Sequence, residues 1–189
     1  MRRIALLSAL FILFAVPALG ASPSNYGTLK FGGYFPQHSD LDDWDTGFNA
    51  ELALGHYFNP NVALEFSVGY LSTSASEEGI SGDITSIPIL LSIKGIAPVA
   101  GGELYALVGG GVYITNVELS GFGLSINSDD TPVGFQLGVG GNFNVSPNVF
   151  LGLEAKYFWA KASFDFLGVT TEDVHIDGIQ ATANIGYRF

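Results

Sequence analysis

Three histidines, His38, His56 and His175, are the only side chains here whose ordinary pKa suits general-base work near neutral pH. A His beside a Ser can activate the hydroxyl, because the base must reach the proton it removes. His38-Ser39 is such a pair, and His175 stands two residues before Asp177. Neither pair sits in an acyl-hydrolase signature, and an adjacent His-Ser is common by chance. No catalytic residue is therefore assigned. The chain has no Cys, which removes thiol nucleophiles, thiolate metal sites and disulfides together. Gly138-Val139-Gly140-Gly141-Asn142 imitates part of a phosphate-binding glycine loop, but no helix follows to supply the N-terminus that such a loop needs.

Carboxylates are the more abundant chemistry. Asp40, Asp42, Asp43 and Asp45 form one group, and Glu77, Glu78 and Asp83 a second. Glu118, Asp129 and Asp130 form a third, and Asp165, Glu172, Asp173 and Asp177 a fourth, offset only by Lys161. Such groups suit hard cations, but Asp40 to Asp45 lacks the glycine and closing Glu of a twelve-residue calcium loop. The default expectation is solvated loops, with weak divalent binding as the alternative, no defined metal site and no cofactor. A net charge of −11 also argues against nucleic acid, whose phosphates are met by Lys and Arg.

The elements that place these groups are strands. Hydrophobic residues make up 48% of the 189-residue chain and charged residues 13%, against about 25% charged in an ordinary soluble domain. Beyond the first twenty residues, no run is apolar over the roughly 18 positions of a spanning helix. The apolar residues alternate instead, in eight segments. One face carries Leu29, Phe31 and Phe35, then Phe48, Leu52 and Leu54, then Leu64, Phe66 and Val68, then Ile87, Ile89, Leu91 and Ile93. It continues with Leu104, Val108, Val112 and Ile114, then Val133, Phe135, Leu137 and Val139, then Leu151, Leu153 and Tyr157, then Ile179, Ile185 and Tyr187. Segments of about ten alternating residues are the mark of strands that cross a membrane as a closed barrel, since lipid leaves no partner for an open sheet edge.

Solvation then assigns the faces. The unbroken apolar face meets lipid, and the face with Lys30, Glu51, Glu65, Lys94, Glu154, Lys156 and Arg188 points into a narrow lumen. Charges confined there must pair, so the four cations are expected to contact the three carboxylates. This is the expected lumen polar network. Filled by side chains, the lumen is a plug; if the pairs rearrange, or if inward Leu90, Leu107, Phe150 and Phe158 form an apolar conduit, it is a passive channel for small solutes. Asn59-Pro60-Asn61, Ile96 to Glu103 and Ser146-Pro147-Asn148 read as short turns. Pro36 to Thr46, Ser72 to Asp83, Asn116 to Thr131 and Phe164 to Asp177 read as long polar loops, the external side of such a barrel. Tyr26, Phe58, Phe143, Tyr187 and Phe189 are expected at the periplasmic rim, and Pro88 is expected to force a bulge or to stand above the regular pairing.

Met1-Arg2-Arg3, the apolar run Ile4 to Val16 and the small residues Ala18 and Gly20 compose a signal peptide. Residues 1–20 are the expected leader and 21–189 the barrel domain. Ile185-Gly186-Tyr187-Arg188-Phe189 resembles the C-terminal assembly signal of bacterial outer-membrane proteins. Together with Asn59-Pro60-Asn61-Val62-Ala63-Leu64-Glu65, Ser146-Pro147-Asn148-Val149-Phe150-Leu151 and Ala106-Leu107-Val108-Gly109-Gly110-Gly111-Val112-Tyr113, it is similar to the small outer-membrane β-barrels of the OmpA/OmpX and OmpW kind. The resemblance covers residues 26–189. It implies an all-β, eight-stranded antiparallel transmembrane barrel with short periplasmic turns and long external loops. It also implies a bacterial outer-membrane location, a non-enzymatic envelope or surface role, and Tyr187 and Phe189 as the assembly signal. The implied partners are outer-membrane lipid, lipopolysaccharide and the barrel-assembly machinery.

Overall fold

The computed structural model describes residues 24–37, 46–77, 80–121, 124–162, 165–166, 169–170, 174–175 and 177–189. The leader reading of residues 1–20, His38 and the Asp40–Asp45 group fall outside them. Eight barrel strands follow in order: β1 Asn25–Pro36, β2 Gly47–Asn59, β3 Val62–Glu77, β4 Ile80–Val99, β5 Gly102–Gly121, β6 Val133–Asn144, β7 Val149–Ala162 and β8 Gly178–Arg188. Each pairs antiparallel with its chain neighbours, and β8 returns to β1 from Tyr26↔Arg188 to Pro36↔Gly178. That last ladder closes the barrel and leaves no raw edge within the wall.

Alternation does what the apolar pattern requires. Leu52, Leu91, Val108, Leu137 and Leu153 stand on the outer face and are about half or more exposed, while Lys30, Glu51, Glu65, Lys94, Glu154 and Lys156 are buried in the lumen. Leu137 is 48% exposed and pairs with Val108 and Tyr157, in the middle of the wall. Leu137→Arg is expected to cost about 2–4 kcal/mol, the penalty for a cation at mid-depth in lipid. Gln136, one residue away, is buried and hydrogen-bonded to Ser92 at 2.9 Å. Denaturation in vesicles checks this. An unchanged midpoint for Leu137→Arg would place that side chain off the lipid face.

Four expectations need correction. Ser72 to Asp83 and Asn116 to Thr131 are not mainly loop: β3 and β4 pair on to Glu77↔Ile80, and β4 and β5 on to Ile80↔Gly121. A further strand, Leu124–Asp130, pairs with the end of β5. β4 and β5 have 20 residues each, where a tilted crossing needs about 9–11. The excess projects beyond the wall as a four-stranded sheet. The turn within Ile96 to Glu103 is tighter than expected, because Val99 pairs with Gly102. Gly101 there has φ 79°, a left-handed conformation that favours glycine.

Pro88 causes no bulge and does not stand above the regular pairing, which continues past it to Ile80. β3 and β4 hold one register on either side of it, from Val68↔Ile89 to Leu71↔Ser86, with only the intervening pairs missing. Gly69 makes this possible, since a Cβ there would stand 2.9 Å from the proline ring. Finally, Tyr26 is not a rim aromatic. It is 3% exposed and points inward, whereas Phe58, Phe143, Tyr187 and Phe189 do point outward at the short-turn end.

Candidate functional site in the barrel lumen

Inward glycines seat inward rings. A Cβ on Gly55 would collide with the Tyr26 ring, one on Gly186 with Phe150, one on Gly140 with Tyr105 and one on Gly178 with Tyr34. The bare backbone at each of these places lets a neighbouring ring lie flat across the wall, which explains glycine and aromatic sharing the inner face. Two apolar layers result. Tyr34, Leu71, Leu90, Tyr113, Phe158 and Ala160 pack at the long-strand end, with the Tyr113 and Phe158 rings stacked at 5.4 Å. Tyr26, Ala63, Ile96, Tyr105, Leu107 and Phe150 pack at the short-turn end.

Between the layers lie three lysines and three glutamates. Lys30 Nζ is 2.7 Å from Glu51, 2.8 Å from Glu65 and 2.9 Å from Glu154. Lys94 meets Glu65 at 2.5 Å and Glu154 at 3.6 Å; Lys156 meets Glu51 at 2.5 Å and Glu154 at 3.5 Å. Every member is at most 4% exposed. Two tyrosines complete the shell, Tyr26 donating to Glu65 Oε2 at 2.7 Å and Tyr105 to Glu154 Oε2 at 2.8 Å. Lys94 also stands 4.3 Å from the centre of the Tyr105 ring. Charges on strands far apart in sequence therefore satisfy one another, the condition for keeping them out of water.

Arg188 does not join this group, contrary to expectation. Its guanidinium meets Glu103 at 3.2 Å, nearer the short turns. Strict alternation carried one residue further would have found both missed residues. Tyr26 shares the parity of Lys30, and Glu103 that of Tyr105. With Glu103 counted, the four inward cations face four carboxylates.

The remaining sequence candidates do not converge. His56 Nδ1 lies 2.8 Å from Asn25 Oδ1, with its ring edge-on to Phe58 at 5.2 Å. His175 is described only as backbone, paired with Lys161. Among the described residues no group of three or more His, Cys, Asp or Glu is placed to hold a metal ion. Tyr187 and Phe189 face outward beside the closing seam, and the Phe189 amide donates to the Asn25 carbonyl at 2.9 Å.

Comparison with known proteins agrees with this architecture. Neisserial surface protein A is similar at 16% identity and TM-score 0.56, over 89% of this chain and 98% of that one. Ail, the attachment invasion locus protein of Yersinia pestis, shares 21% identity at TM-score 0.54, over 88% of this chain and 97% of its own. OprG of Pseudomonas aeruginosa shares 13% at TM-score 0.58, over 90% and 98%. No curated protein matches by sequence. The family described as outer membrane protein beta-barrel domain matches residues 6–189. A closed barrel with lipid-facing alternation and a match along nearly all its length make the chain a member of that family, resident in the bacterial outer membrane.

Proposed function

We propose that the chain is a small non-enzymatic barrel whose lumen is plugged and whose work is done outside the membrane, in an envelope or surface-interaction role. The observation that carries the plug is the six-residue charge cluster, buried between two aromatic layers. An ion crossing this path would have to displace paired lysines and glutamates, and each charge left unpaired in so dry a place costs several kcal/mol. The refolded chain in a planar bilayer should show no conductance steps. Steady unitary steps in the wild type would favour the passive-channel reading instead.

The external role rests on the projecting sheet. Beyond the barrel, β3 from Thr73 pairs only with β4, and Leu124–Asp130 only with β5, among the described residues. These edges hold no Lys or Pro of the kind that blunts strand pairing. Asp83 stands opposite Glu118 in the ladder, and Asn116 opposite Asp129. Ail has been solved with a heparin analogue, sucrose octasulfate. The external part of this chain is rich in carboxylates and offers only Lys161 as a cation, so it would repel such a polyanion. It favours basic partners, and divalent cations shared with lipopolysaccharide. In the same reading residues 1–20 are a cleaved leader, and Tyr187 and Phe189 address the chain to the assembly machinery.

A further inference from the structure

We propose that Arg188, Glu103 and Tyr57 form a clasp that holds the barrel shut from its periplasmic end, independently of any recognition of the C-terminal aromatic residues. Arg188 is the last inward residue of β8, the strand that completes the ring. Its Nη2 meets Glu103 on β5 at 3.2 Å, its Nη1 donates to Asn144 Oδ1 at the end of β6 at 2.6 Å, and its Nε approaches the Tyr57 hydroxyl on β2 at 3.4 Å. The guanidinium carbon lies 4.5 Å from the centre of the Phe150 ring on β7. Glu103 is held from other sides as well. Tyr57 donates to it at 3.0 Å and Asn142 at 2.7 Å.

The sheet ladder connects β8 only to β7 and β1. The clasp adds β2 and β5, which meet β8 only across the lumen. In an unrolled sheet β5 lies three strands from β8, roughly 14 Å at the usual strand spacing, beyond a direct ion pair. These contacts therefore exist in the closed ring and vanish in the open one, so their free energy acts on closure itself. Their surroundings suit the task. The Arg188 and Glu103 side chains are 12% exposed, enough burial to strengthen the pair, and they line a 440 Å³ cavity with Pro60 and Pro147 from two short turns and Pro98 near the end of β4. Three prolines give that mouth a stiff rim.

The test uses the full chain refolded in phosphatidylcholine vesicles with no assembly protein present, so that only the chain's own contacts act. Arg188→Glu and Glu103→Arg should each raise amide exchange along the seam, at Ile185 to Arg188, roughly tenfold or more, the factor for a lost charge-assisted bond. Combining them restores opposite charges across the lumen and should return exchange most of the way to wild type. Glu103→Gln, which keeps an acceptor for Tyr57 and Asn142, folds even if the reversals do not, and should show a smaller rise in the same amides. Unchanged seam exchange in the single variants would overturn the clasp. So would a double variant no better protected than the worse single.

Discussion

Replacing Lys30 with Met is expected to lower barrel stability by about 3–5 kcal/mol, because it leaves a buried carboxylate without its partner. Lys30 is the hub of the lumen cluster, within 2.9 Å of Glu51, Glu65 and Glu154. Without it, Lys94 and Lys156 remain to serve three carboxylates. Glu154 is the odd one out, since its contacts to those lysines are the long ones at 3.6 and 3.5 Å. A second substitution, Glu154→Gln, then removes the surplus charge and leaves two close pairs, Lys94–Glu65 and Lys156–Glu51, each at 2.5 Å. Gln also keeps an acceptor for Tyr105. The Lys30→Met/Glu154→Gln double variant should therefore be more stable than Lys30→Met alone, although it carries one more change. Urea denaturation in vesicles measures both, and the coupling follows from the double-mutant cycle. A double variant less stable than either single, with additive losses, would show that the six charges do not act as one neutral unit.

The barrel wall was legible because lipid on one side and a packed lumen on the other impose a period of two, which Leu29 to Ile185 follow on the apolar face. The projecting sheet was not legible, and the same physics explains why. Once β3, β4 and β5 leave the membrane, water replaces lipid, and nothing selects large apolar residues at every second position. Ser72-Thr73-Ser74-Ala75-Ser76 then has the composition of a loop while its backbone pairs as strand. The lumen charges were legible as a set, since inward parity assigns them, but their pairings were not. Parity places Arg188 and Lys156 on one inner face without saying at which depth each ends. Arg188 lies at the end of its strand and so meets Glu103, whereas Lys156 lies mid-strand and reaches Glu51. Pro88 misled for a different reason. The missing donor suggests a bulge, but the answer lies in Gly69 across the ladder, whose empty side admits the ring without a change of register.

Changing Tyr187 and Phe189 together to Asp should block insertion in cells and leave a protease-sensitive chain in the periplasm, while hardly altering refolding in vesicles. Both side chains face outward at the rim, 54% and 46% exposed, where the polar headgroup region begins. A charged residue at that depth costs only about 0–1 kcal/mol, far less than at mid-membrane. The substitutions also spare the backbone, so the Asn25–Phe189 bonds of 3.1 and 2.9 Å that finish the seam are kept. Energetics alone thus predicts a barrel only slightly weakened. A complete failure in the envelope would then arise from loss of recognition by the assembly machinery, the role that these residues are proposed to hold. Deleting Phe189 removes the seam bonds as well and should impair both settings. Heat-modifiable migration, compared between cell envelopes and vesicles, separates the contributions. The Arg188 reversal should weaken the barrel alike in both, because a clasp acts within the chain, whereas the Tyr187 and Phe189 pair should fail in cells alone. Normal migration of that pair in envelopes would remove the C-terminal aromatics as an address and leave them as interfacial anchors.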